Sequence, residues 1–550
     1  MKYIKNPVAW MPIVIAVSLI GGIWIGIKFS DIHSSGKGEK KLSEILELIK
    51  NDYVDEVDVD SLIEHTLPNL LANLDPHSTY IPAEDLQAVN DDLDGSFSGI
   101  GIAFTMLTDT VTVSEVIAGG PSEKIGLMPG DRIMTIDDSL VAGQNIPNTD
   151  IVKMLKGEKG TKVKLGIRRK SAKKMLTFEV TRGDIPVNSI DAAYIIAPET
   201  GYIKVNKFGR TTRDEFLTGL VKLKNEGANR YIVDLRGNGG GFLEMAIYMA
   251  NEFLPPNSPI VFTRGRKPME DSQVFSDGTG AFQEAPLIVL LDEYSASASE
   301  IFAGAMQDND RALIVGRRSF GKGLVQRQTT LPDSSAIRLT VQRYFTPSGR
   351  CIQKDYQLGK RSAYELDIVN RYEHGEFYNS DSIKFNEDLQ FRTLNGRTVY
   401  GGGGIMPDVF VPNDTSGVTK YYYDVVNAGL LQKFAFEYTD KNRTALSQAK
   451  TLQEFMSRLP DDDELLQLFV AYAVRKGIPA RWYYINISRN LIVKNLRALI
   501  ASDILGREYL YQVINTDDAT VQRAISELDA GNAVAPILPE SEPATTSTSN

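Results

Sequence analysis

Residues 286–326, PLIVLLDEYSASASEIFAGAMQDNDRALIVGRRSFGKGLVQ, constrain this chain more than any other stretch. The run 286–291 is continuously apolar and of strand length, the pattern of a strand buried on both faces rather than one with a wet side. It stops at Asp292. The small residues Ser295-Ala296-Ser297-Ala298-Ser299 follow, and then 300–306 carries Ile301, Ala305 and Met306 at helical spacing. The serines therefore stand where a strand turns into a helix, and a nucleophile at that point would have the helix amides behind it. A single Ser in such a turn is most simply a helix cap. Three alternating serines exceed what a cap needs.

A second apolar run, 312–315, leads into GRRSFGKG. Gly316 and Gly321-Lys322 fit the spacing of a phosphate-cradling GxxxxGK[ST] loop, but residue 323 is Gly, so the hydroxyl that would hold Mg²⁺ is missing. Lys322 reads instead as a base. An ordinary lysine is protonated at neutral pH, and it accepts a serine proton only if burial disfavours its charged form. The small and apolar neighbours Phe320, Gly321, Gly323, Leu324 and Val325 suit a desolvated amine, and serine activation by lysine is an established variant of the triad scheme. The simpler alternative is a surface lysine in a glycine turn. The chain has four histidines, His33, His65, His77 and His374, so a Ser-His-Asp arrangement would have to recruit a distant one.

The string SASASEIFAGAMQDNDRALIVGRRSFGKGLVQ resembles the active-site signature of the C-terminal processing peptidases, or tail-specific proteases, a Ser/Lys family. The resemblance implies Ser297 as nucleophile, Lys322 as base and Gln326 as the residue that orients the lysine. The separation of 25 residues between Ser297 and Lys322 agrees with the family's spacing. DLRGNGGG at 234–241 is a glycine cluster between a strand and a helix whose amides could stabilise an oxyanion. The family uses it so, which implies the backbone N–H of Gly240 or Gly241 together with that of Ala298. Glycines there could equally serve a tight turn.

At 550 residues the chain predicts several domains, and 42% hydrophobic with 24% charged content is ordinary for globular protein. A net charge of -10 argues against nucleic acid as a partner. Cys351 is the one cysteine, which excludes an intrachain disulfide. Residues 8–27 carry no charge and are long enough to cross a bilayer, so they read as a membrane segment or a signal peptide, and their length with no clear small-x-small cleavage site after them favours an uncleaved single-pass anchor. Lysines on both flanks blunt the orientation signal. The family resemblance then implies a bacterial cytoplasmic membrane protein with its catalytic part on the periplasmic side.

Residues 37–96 are mostly helical by pattern, with Leu42, Ile45, Leu46 and Ile49 on one stripe and Leu62, Leu67, Leu70, Leu71 and Leu74 on another. LDPHSTYIPAEDL at 74–86 resembles the family's segment before its PDZ domain, and His77 reads as structural, with no second His or Cys nearby. Residues 97–183 carry PDZ marks: SGIGIAF, a strand VTVSEVI, then GGPSEKIGLMPGDRIMTIDD. Gly99, Ile100, Gly101 and Ile102 form the predicted loop whose amides bind a terminal carboxylate beside an edge strand, with apolar Ile100 and Ile102 suiting an apolar last side chain. A glycine-rich hairpin is the simpler alternative. Lys156 stands where some relatives carry a basic residue that couples PDZ docking to activity.

The catalytic domain is expected over 184–412, interrupted at 354–400 by an insertion read as a solvated excursion or partner surface. Residues 413–530 predict a helical extension, and 531–550 a disordered tail. The expected fold is multidomain α/β. Its parts are a crotonase-like Ser/Lys protease core, an inserted mixed β/α PDZ domain and helical regions at both ends. The expected function is a serine endopeptidase that selects protein substrates by apolar C-termini. No metal or cofactor is needed, since nothing in the chain has ligand spacing. A homo-oligomer or an adaptor is left open. A PDZ scaffold that binds tails without cutting is the competing reading.

Overall fold

A computed structural model describes residues 16–18, 36–106 and 109–533, apart from the side chain of residue 92. The chain divides into two units, 1–73 and 74–550. In the first, Lys37–Asp52 and Val59–Ala72 are helices, the second capped by Asp58, whose carboxylate accepts the Asp60 amide at 3.1 Å. The first leaves Leu42, Ile45 and Leu48 exposed and buries no residue.

The expected anchor at 8–27 lies outside the described residues except for 16–18. Among the described residues no helix is long and apolar enough to cross a membrane. That finding goes against the expected single-pass membrane anchor, and so against the anchored membrane location that the family resemblance implied. Most of the expected tail, 534–550, also lies outside the described residues.

The second unit is built on a six-stranded sheet ordered Ile190–Ala197, Thr200–Val205, Arg230–Asp234, Leu287–Leu291, Leu313–Gly316 and Val409–Phe410. The first pair is antiparallel and the rest are parallel. All five residues of Leu287–Leu291 are buried, and their alternation shows why the run carries no polar position. Leu287, Val289 and Leu291 face a core shared with the helices Thr212–Asn225, Leu243–Asn251 and Ala298–Asp308. Ile288 and Leu290 face Val521, Ala524 and Leu528 of the C-terminal helix Ala519–Asp529. A strand covered on both faces has no wet side to encode.

A second, antiparallel sheet joins Thr79–Ile81, Ala336–Phe345, Pro259–Gly265 and Ser272–Phe275, with Leu324–Thr330 also paired to Ala336–Phe345. The PDZ-like segment forms its own antiparallel sheet around Val111, Ile133, Leu165 and Val180. Its strand Ile102–Met106 lies at the end of the sheet order, with one ladder to Val111–Val116. The segment leaves and rejoins the chain through a ladder between Ser96–Gly99 and Gly183–Pro186. Residues 420–514 form a helical body with its own core, including Phe434, Phe469, Ile492 and Leu496.

Candidate active site

The three serines of the turn have separate fates. Ser295 Oγ donates to the Leu235 carbonyl at 2.9 Å and Ser299 Oγ to the Asn238 carbonyl at 2.9 Å, so both bind the turn to the glycine loop 235–241. Asp292 completes that seam, accepting the Gly237 amide at 2.9 Å. Ser297 lines a cavity of about 840 Å³. Its backbone stands at φ +57° and ψ −114°, a region that a residue with a Cβ rarely adopts, immediately before the helix Ala298–Asp308. The strain is held by the Ser297 amide, which donates to Glu300 Oε2 at 2.8 Å.

Lys322 lines the same cavity. Its own amide donates to Glu300 Oε2 at 2.9 Å, while the Gly321 amide and the Ser319 hydroxyl donate to Oε1 at 2.7 and 2.5 Å. One buried carboxylate thus ties the serine turn to the FGKG turn. Burial, outweighing these donors, holds the Glu300 carboxyl above the ordinary glutamate value. The Tyr344 hydroxyl lies against the carbonyls of both Ser297 and Lys322 and adds a second tie. Among the described residues the Lys322 ammonium has no ion pair. Burial pushes it below the ordinary lysine value, Arg338 adds to that, and the carboxylates of Glu300 and Asp75 oppose it. The requirement set by the sequence, an amine able to lose its proton, has a physical cause here.

The glycine loop closes the third side. A Cβ at Gly240 would lie 2.7 Å from the Ala296 carbonyl oxygen, 2.8 Å from Ser297 Cβ and 2.9 Å from the Ala298 nitrogen, so only glycine fits. The Gly240 amide is already engaged, donating to Asn238 Oδ1 at 2.9 Å. The amides of Gly241 and Ala298 have no acceptor among the described residues, Ala298 being the first residue of its helix. Of the two glycines offered by the sequence, Gly241 is the one whose N–H remains to give.

Gln326 also lines the cavity, but its amide nitrogen lies 3.3 Å from Thr340 Oγ1 and 3.5 Å from the Leu324 carbonyl, with no bond to Lys322. His77 is brought to the cavity wall by the segment before strand Thr79–Ile81. Its Nε2 lies 2.9 Å from the Tyr364 hydroxyl, and burial together with the Lys322 charge brings its imidazole down to about 4. It is neutral at neutral pH. In the PDZ-like segment Ile100 is buried in the local core and Ile102 packs against it half-buried. Gly101 at φ +78° opens the loop between Gly99 and Ile102. Lys156 pairs with Asp91 at 3.0 Å and lies 4.4 Å over the Phe97 ring.

The insertion 354–400 is exposed over most of its length, but a few buried residues tie it to the site. Arg371 donates to the carbonyls of Ser319 at 3.0 Å and Arg318 at 2.8 Å, and Glu376 takes Arg318 through both its oxygens at 2.6 Å. Tyr364 from the same insertion meets His77. Glu300, Tyr344 and this strap went unread in the sequence. A signal existed for Glu300: Ser297-x-x-Glu300 has the spacing of a capping box.

The family model for peptidase family S41 matches residues 199–359 and that for the PDZ domain matches residues 98–181. A model described only as a family of unknown function matches residues 421–506. A carboxy-terminal-processing protease of Bartonella bacilliformis is 37% identical over 318 residues, 57% of this chain and 72% of that protein. The chain belongs to peptidase family S41. Another relative, the carboxy-terminal processing protease CtpB of Bacillus subtilis, is 33% identical over 321 residues, 58% of this S41 peptidase and 66% of its own length. Among solved structures, a photosystem II D1 C-terminal processing protease aligns at 24% identity and a TM-score of 0.34, covering 69% of this chain and 94% of its own. This S41 peptidase is a serine peptidase of the carboxy-terminal processing kind with a PDZ domain, the module that binds protein C-termini.

Proposed function

We propose that the protein cleaves protein substrates selected by an apolar C-terminal tail, with Ser297 as nucleophile and Lys322 as its base. The observation that carries this reading is the shared cavity. A strained serine at a helix start, a desolvated lysine and two unengaged amides line it together. Neutral Lys322 takes the Ser297 Oγ proton as the oxygen attacks the scissile carbonyl carbon. Negative charge gathers on the carbonyl oxygen against the amides of Gly241 and Ala298. The Lys322 ammonium then returns a proton to the leaving nitrogen, the C–N bond breaks, and an acyl ester remains on Ser297. Water, deprotonated by Lys322, releases the acid and restores the serine.

The domain limits that go with this reading are 97–183 for the PDZ domain, 184–412 for the catalytic domain with its insertion at 354–400, and 413–530 for the helical extension. Gly99 to Ile102 receive the tail carboxylate, and the open edge of Ile102–Met106 accepts the tail as an added strand. Docking there aligns Lys322 with Ser297, which makes the tail a trigger as well as an address.

The test is cleavage of a folded protein ending in apolar residues, followed by mass spectrometry. S297A and K322A abolish turnover in this reading, whereas H77Q retains most of it because His77 holds position rather than protons. Cleavage by S297A at the wild-type rate would sink the assignment. Amidating the substrate's C-terminal carboxylate lowers kcat/KM at least tenfold if the PDZ loop reads that charge, a size set by the loss of a charge-assisted hydrogen bond at about 1.5–3 kcal/mol.

A further inference from the structure

The helices Arg507–Ile514 and Ala519–Asp529 lie beyond the segment 421–506 and form part of the cover on the second face of the catalytic sheet. Among their polar contacts, which also include Asp191 and Arg230, one reaches the strand end that begins the glycine loop. Asp234, at the end of Arg230–Asp234, is 1% exposed and accepts the Tyr202 hydroxyl at 2.7 Å and Arg236 Nη2 at 2.7 Å. Burial alone would raise its carboxyl, but Arg236 and Lys204 outweigh it and hold the group well below the usual carboxylate range. The other end of the Arg236 guanidinium reaches across to the C-terminal segment. Its Nη1 lies 2.9 and 3.0 Å from the two oxygens of Asp518, and Asp518 is also the N-cap of Ala519–Asp529, accepting the Val521 amide at 2.9 Å. Lys204 Nζ grips the Arg236 carbonyl.

Beyond Arg236 the loop is tied by its backbone and by Asn238: the Gly237 amide donates to Asp292, the Asn238 carbonyl accepts the Ser299 hydroxyl, and Asn238 Nδ2 donates to the Val205 carbonyl at 3.0 Å. Four of its next five residues are glycine, and Asn238 is the one side chain among them. A glycine run gains no side-chain packing and loses the most backbone freedom on ordering, so its course depends on these ties and on what holds its ends. Gly241 is held at the far end by its bridge to Phe208. The near end is held by Arg236.

We propose that Asp518 is a positioning residue for the oxyanion site: through Arg236 it fixes the start of the glycine loop and hence the direction of the Gly241 N–H. This rests on the reading of Gly241 as an oxyanion donor to the Ser297 reaction. It gives the C-terminal helix pair a part in the chemistry, since the cap that starts the helix is the same carboxylate that sets the loop.

The variant that isolates this role is D518N in the full chain. Asparagine caps a helix about as well as aspartate, so the helix start is preserved while the charge and one of two acceptors for Arg236 are lost. The expected result is a kcat about threefold to tenfold lower with KM unchanged, a misaimed donor costing less than the hundredfold or more of a deleted one. Affinity for a peptide aldehyde should fall by the same factor, because its hemiacetal oxygen occupies the oxyanion position. R236K, with one donor group in place of a fork, should act in the same direction. A D518N enzyme with wild-type kcat and wild-type aldehyde affinity would overturn the inference, as would a change confined to KM. S297A run alongside separates the layers. An inactive S297A with an unaffected D518N removes only the role of Asp518, whereas an active S297A removes the reading beneath it.

Discussion

Lys322 and Glu300 are joined through the backbone: the Lys322 N–H donates to Glu300 Oε2 at 2.9 Å, and the same oxygen accepts the Ser297 N–H at 2.8 Å. The lysine and the serine therefore share one acceptor, and their turns cannot shift apart without breaking a charge-assisted bond in the interior. E300A strands three backbone amides and the Ser319 hydroxyl. We expect it to lower stability by about 3–5 kcal/mol, the scale for removing one partner of a buried charged network, and to abolish turnover. E300Q keeps one acceptor oxygen and should lose less. Urea unfolding compares them, and equal midpoints for wild type and E300A would refute the tie.

The Lys322 ammonium is held below the ordinary lysine value of 10.5, first by burial and then by Arg338. The neutral amine is the working base, so kcat/KM should rise with pH along a limb whose midpoint lies below 10.5. In R338M a neighbouring positive charge is gone and the ammonium becomes easier to keep. The limb should move to higher pH, with less activity at pH 7 as the consequence. The linkage sign gives a second readout. A lysine with a depressed folded value binds fewer protons folded than unfolded, so it costs stability below that folded value, and the cost fades as pH rises towards 10.5. K322M should accordingly be inactive and melt higher than wild type at pH 7. A limb that R338M leaves in place, or moves to lower pH, contradicts the account.

Much of this was legible in the chain. The apolar run before Asp292 predicted a doubly buried strand because both faces are indeed covered, and SASAS with FGKG located the two turns that the cavity brings together. What could not be read was the identity of the cover. The second face of the sheet is closed by Val521, Ala524 and Leu528, more than 200 residues later in sequence, and hydrophobic periodicity reports that a face is buried without saying against what. The insertion's few buried residues escaped reading for a related reason. Its Tyr, Asp, Glu and Arg content looks solvated, yet Arg371 and Glu376 are 5% exposed and direct their charges to each other and to Arg318 and Ser319, just before FGKG. Composition registers polarity but not pairing.

Gly240 admits a sharper test of the serine turn. It sits at φ +101°, and its missing side chain is the space in which Ala296 and Ala298 approach. G240A forces a Cβ against backbone atoms at 2.7 and 2.9 Å, closer than real contacts allow, so either the loop or the serine turn must move. We expect kcat to fall at least a hundredfold, the scale of losing an oxyanion donor, with the PDZ domain still binding tail peptide at its wild-type affinity. Calorimetric titration of an S297A background with an apolar tail peptide measures the second quantity independently of the first.

The insertion supplies the last expectation. Arg371 holds the carbonyls of Arg318 and Ser319, and Glu376 pairs with both Arg371 and Arg318, all three side chains being largely buried. The strap therefore holds the chain just before Lys322, next to the turn that Glu300 grips. R371M preserves the stem and removes the fork, leaving two carbonyls short of a donor and Glu376 with one cation in place of two. Loss of a partner in such a cluster costs about 3–5 kcal/mol. Because the cost falls on the base's turn and not on the serine's, the pH limb of kcat/KM should broaden or shift as Lys322 becomes wetter, its midpoint moving towards 10.5. A variant that loses stability with an unmoved limb would mean that the strap supports the fold but leaves the environment of the amine untouched.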